Sequence, residues 1–139
     1  MYCRGEKMSE ILTIYVEIGK TYEVCGHNGI ARMILFSGHG TGSGFQGTIL
    51  PGGVDTQQQD NKTLALSARY ILEGTDGTGQ KCRIFIENEG MAEGNGNINQ
   101  TIPKITTDSE ALAWMETATL TGTITPWERG VVIHIFAER

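Results

Sequence analysis

Between Gly44 and Asp76 the chain alternates short apolar and β-branched runs with glycine corners, a pattern open to few folds. Phe45 to Leu50 reads as a short strand ended by Pro51-Gly52-Gly53, where proline presets φ and glycine admits positive φ. Leu64 to Glu73 reads as a second strand, followed by the tight-turn pair Asp76-Gly77. The rest is punctuated as densely: 19 of 139 residues are glycine, about twice ordinary usage, against three prolines. That ratio excludes collagen and proline-rich linkers, and the strong apolar runs exclude a disordered glycine tract. An antiparallel β domain with many corners is what remains.

The other runs fit that reading. Leu12, Ile14, Val16 and Ile18 share one face of a strand that Gly26 to Gly29 interrupts, and Ile30 to Phe36 forms the next apolar run. On the strand from Leu64, Leu66, Ala68, Tyr70 and Leu72 face one way, whereas Ser67, Arg69 and Ile71 face the other. Cys82 to Asn88 returns as its hairpin partner, with Cys82, Ile84 and Ile86 opposed to Arg83, Phe85 and Glu87. Gln57 to Asn61 and Gly90 to Asn99 read as polar loops. Thr107-Asp108-Ser109-Glu110 opens a short helix near residues 108–115, reaching Trp114. Thr117 to Thr125 and Val131 to Phe136 supply the last strands. The expectation is an all-β fold, a small antiparallel barrel of about seven or eight strands with one short helix. Residues 1–9 read as a flexible N-terminal extension and 10–139 as a single barrel domain.

Composition narrows the partners. A net charge of -5 with no basic cluster argues against nucleic acid. No apolar stretch is long enough for a membrane helix, and no signal-peptide core follows the N-terminus. Cys3, Cys25 and Cys82 are odd in number and lack paired spacing, which suggests reduced thiols and a cytoplasmic setting.

The motifs that suggest chemistry are mostly structural. Gly42-Ser43-Gly44-Phe45-Gln46-Gly47 matches a dinucleotide-binding fingerprint in letters, but a strand and turn follow where a helix is required. His27, His39 and His134 have no shared ligand spacing, so neither a metal nor another cofactor is expected. His134, alternating with Val132 and Phe136, reads as a satisfied wall histidine. Asp55 and His39 are the candidate catalytic bases. Asp55, Arg69, Tyr70, Glu87 and Trp114 are the candidate ligand-binding residues. For Arg69 and Glu87 two readings stay open: a charged cluster at the barrel mouth holding an anion, or a cross-strand ion pair on the outer wall.

The stretch GFQGTILPGGVDTQ, with LALSARYILEGTDG after it, resembles the family known as domain of unknown function 3237. Gly90 and ALAWMETATLTG, with Trp114 at the family's tryptophan, extend the resemblance from about Ile11 to Phe136. It implies a lipocalin-like β-barrel without an assigned activity, with Asp55, Arg69, Tyr70, Asp76 and Trp114 at family-typical positions. Thr56 departs from the pattern, since a tryptophan usually follows the corner acid. A smaller residue there would widen a pocket or remove a stacking surface.

Three functions fit such a chain. The first is binding of a small, partly apolar and even anionic molecule inside the barrel. The second is cofactor-free proton transfer on a small carbonyl compound, such as an isomerisation or cyclisation, with Asp55 or His39 as base and Arg69 stabilising the anion. The third is a homo-oligomeric assembly subunit whose threonine-rich face, Thr117 to Thr125, packs on a copy of itself.

Overall fold

Alternation of inward and outward side chains marks many strands of the computed structural model, which describes residues 8–94 and 96–138. Nine strands result: β1 (Met8–Cys25), β2 (Ile30–Gly42), β3 (Phe45–Ile49), β4 (Val54–Gln59), β5 (Thr63–Asp76), β6 (Lys81–Glu93), β7 (Gln100–Thr107), β8 (Leu120–Trp127) and β9 (Gly130–Glu138). All pair antiparallel, and β9 returns to β1. The sheet thus closes into a barrel.

β3 and β4 occupy one position in the ring, since both lie between β2 and β5. The Pro51-Gly52-Gly53 corner divides them, and Gly52 takes φ 111°, a conformation that a side chain would strain. Nine strands therefore fill eight positions, in line with the expected barrel.

Leu12, Ile14, Leu72, Ile84, Ile86 and Ile135 are fully buried in the interior. Burial of each such side chain contributes roughly 1.5–3 kcal/mol. One end is plugged by Met115, also fully buried, from a single 3-10 turn at Ala113–Glu116. Asp76 ties that plug to the β5–β6 turn. Its Oδ1 accepts from the Thr78 amide (2.9 Å), the Thr78 hydroxyl (2.6 Å) and the Gln80 amide (3.2 Å). Its Oδ2 accepts from Ser109 Oγ at 2.7 Å, and the same Ser109 oxygen accepts from the Leu112 amide. The Thr78 and Ser109 hydroxyls hold the Asp76 carboxyl down to about 2.

Several boundaries differ from the sequence reading. Met8 and Ser9 pair with Glu138 and Ala137, so β1 reaches into the expected extension; residues 1–7 lie outside the described residues. The helix near 108–115 reduces to the 3-10 turn at Ala113–Glu116. Residues 57–59 are strand, not loop, because β2 and β5 supply ladder partners on both sides. β6 likewise runs on to Glu93, paired with Thr63.

Candidate functional site

At the end opposite the Met115 plug the interior is not filled. A cavity of about 250 Å³ is bordered by Val16, Ile34, Phe36, Leu66, Ile124 and Ile133, with Asp55, Gln57, Asn88 and Asn97 as its polar side chains. Register explains how these meet. Ile34 pairs with Asp55, Asp55 with Ala68, Ala68 with Asn88 and Asn88 with Pro103, one inward rung across β2, β4, β5, β6 and β7. Ala68 sits between the two polar residues, and its small side chain leaves the lumen open there.

Asp55 is a carboxyl in largely apolar surroundings. Gln57 Nε2 donates to its Oδ2 at 2.9 Å, while Oδ1 is buried without a protein partner among the described residues. Burial pushes its pKa above the ordinary aspartate value, and the Gln57 hydrogen bond only partly opposes this. Asn88, 1% exposed, has neither amide oxygen nor nitrogen paired among the described residues, and the Thr101 hydroxyl is in the same state. Each such unsatisfied polar group costs about 1–3 kcal/mol. Packing alone gives no reason to keep them.

Tyr70 also points inward, one rung deeper, with its ring edge-on to Phe36 at 5.4 Å. Its hydroxyl is buried and without a partner among the described residues, and burial drives its pKa well above that of a free phenol.

The other expected site residues lie elsewhere. Arg69 pairs with Glu87 across β5 and β6 on the outer wall, Nε to Oε2 at 3.2 Å, with the Arg69 side chain 54% exposed. The outer ion-pair reading describes this pair, and no cation joins Asp55 in the lumen from there. His39 is exposed on β2 and stacks on Tyr15 outside the barrel, ring centroids 5.0 Å apart. It does not reach the cavity. Trp114 packs half-buried against the core from the plug, away from Asp55. His134 is a satisfied wall residue, with Nδ1 2.7 Å from Glu10 and Nε2 3.2 Å from Thr125.

The sequence reading missed Gln57, Asn88 and Thr101. Asn88 was within reach, because it shares parity with Cys82, Ile84 and Ile86. Thr101 was not, since its neighbour Gly122 is known only from the β7–β8 pairing. Among the described residues no three His, Cys, Asp or Glu side chains gather as a metal site would require, and no helix is long and apolar enough to cross a membrane.

Fold and cavity define an eight-position antiparallel barrel, plugged at one end and hollow, with a buried carboxyl, at the other. The chain belongs to the family described as protein of unknown function DUF3237, whose model matches residues 7–137. A UPF0311 protein of Clostridium acetobutylicum is 30% identical over 127 residues, spanning 76% of this chain and 77% of that one. A β-barrel-like protein from Acinetobacter baumannii has a similar structure, with TM-score 0.80, 17% identity and 99% of each chain covered. A structure described as an enzyme from Penicillium herquei matches with TM-score 0.75 at 16% identity over 100% of both chains. At those identities the two structures speak for the fold alone.

Proposed function

We propose that this barrel binds a small, mostly apolar molecule that bears a hydrogen-bond donor. The observation that carries the reading is Asp55 Oδ1, buried and unpaired at the wall of an apolar cavity. The volume supports a ligand of about ring size, since a dry apolar cavity of roughly 150 Å³ already holds benzene. No Lys, Arg or His is among the described residues that line it, so a neutral donor suits the site better than an anion.

The test is an amide-resolved NMR titration with phenol and benzoate at neutral pH. Phenol is expected to shift the amides of Asp55, Ala68 and Asn88, and benzoate to leave them in place. Preference for benzoate, or shifts confined to the Arg69–Glu87 face, would overturn the proposal.

A second reading, cofactor-free proton transfer, draws support from the same carboxyl. A desolvated Asp55 with a raised pKa is suited to accept a proton from a bound carbonyl compound. It would act without His39 or Arg69. Deuterium exchange at the α-carbon of 4-hydroxyacetophenone should then exceed background with the native chain and fall to background in Asp55→Asn. Background exchange with both would end this reading.

A further inference from the structure

We infer that Asn88 and Thr101 form a carbonyl-recognition subsite two strands along the barrel wall from Asp55, so that the ligand class is a small hydroxy-carbonyl compound. The inference rests on the ligand-binding reading above and makes it more specific.

Three observations converge. Asn88 borders the cavity, is 1% exposed, and has both amide atoms unpaired among the described residues. Thr101 is equally buried and its hydroxyl equally unpaired. Gly122, the cross-strand partner of Thr101, lets the Thr101 hydroxyl lie close against its backbone, beside Asn88 at the cavity border. A Cβ at Gly122 would collide with Thr101 Oγ1 and lie 3.6 Å from Asn88 Oδ1. Glycine there lets the two polar groups lie side by side.

The chemistry of the donors sets the ligand. Asn88 Nδ2 can only donate, so it selects an acceptor such as a carbonyl oxygen. Thr101 Oγ1 can donate to the same oxygen or to Asn88 Oδ1. Asp55 Oδ1, when ionised, can only accept, so it selects a hydroxyl. Asp55 and Asn88 flank Ala68, two strand spacings or about 10 Å apart at their Cα atoms. Side chains reaching inward from both leave a span suited to a single ring with a hydroxyl at one end and a carbonyl at the other.

The experiment compares 4-hydroxyacetophenone with 4-isopropylphenol, which replaces the carbonyl by an apolar group of similar shape. Affinities are measured by amide-resolved titration on the native chain, Asn88→Leu and Thr101→Val. The native chain is expected to prefer the ketone by at least about tenfold, as one buried hydrogen bond gained would give. That preference should fall to about one in Asn88→Leu and shrink in Thr101→Val, which stands in if the leucine variant does not fold.

Equal native affinity for the two probes would overturn the subsite while leaving the Asp55 reading intact, and would assign Asn88 to buried water. A ketone preference that survives in the folded variants would also overturn it. Failure of both probes to shift any cavity amide would overturn the subsite and the binding proposal together.

Discussion

The two ends of the barrel use the same residue types to opposite effect. At the plugged end Asp76 accepts four hydrogen bonds and its pKa is lowered, while Met115 closes the core above it. At the hollow end Asp55 accepts one side-chain hydrogen bond, its other oxygen is unpaired among the described residues, and its pKa is raised. The first arrangement stabilises the fold. The second costs stability, and such a cost is commonly kept where a site must meet a ligand.

Breaking the plugged end should have the largest effect. Met115→Ala removes a fully buried side chain and should cost about 2–5 kcal/mol in denaturant unfolding. Loss below about 1 kcal/mol would mean that the plug is not part of the core.

The two aspartates should then respond to asparagine with opposite signs. Asp76 has a folded pKa below its unfolded value, so its stabilisation is present above about pH 4 and lost as pH falls towards 2. Asp76→Asn should therefore lower the unfolding midpoint at neutral pH and flatten that acid dependence. Asp55 has a raised folded pKa, so folding is least penalised at low pH and loses stability as pH rises through the raised value. Asp55→Asn should raise the midpoint modestly at neutral pH, with the gain vanishing near about pH 3. A loss of stability in Asp55→Asn at neutral pH would break the comparison.

Ala68→Leu sharpens it, because the larger side chain would grow between Asp55 and Asn88. Phenol-induced amide shifts should disappear, with stability changed by less than about 2 kcal/mol since the cavity has room. Arg69→Ala should do least: within about 1 kcal/mol, as for other exposed ion pairs, and with phenol binding intact. Loss of binding in Arg69→Ala would return that residue to the site.

Much of the barrel was legible in the sequence. Alternation along β5 and β6 grouped Tyr70 with Leu72 and Ile84 with Ile86 on shared faces, which the structure turns to the interior, because a half-buried strand writes its faces with period two. The polar run at 57–59 was not legible as strand, since its pairing comes from β2 and β5 and not from its own side chains. The site was half legible. Asp55 was marked by the corner before it, but Arg69 stands one position from Ala68, and that single step turns it to the outer wall. Asn88 carries the parity of its buried neighbours, whereas the approach of Thr101 to it depends on Gly122, thirty-four positions away.

Carboxyl-carbon NMR titration of Asp55 and Asp76 in one sample tests the contrast between the ends most directly. The account predicts that Asp76 titrates at about 2 and Asp55 above the ordinary 3.8. Titration of both at the ordinary value, or of Asp55 below it, would contradict the assignment of the hollow end as the functional one.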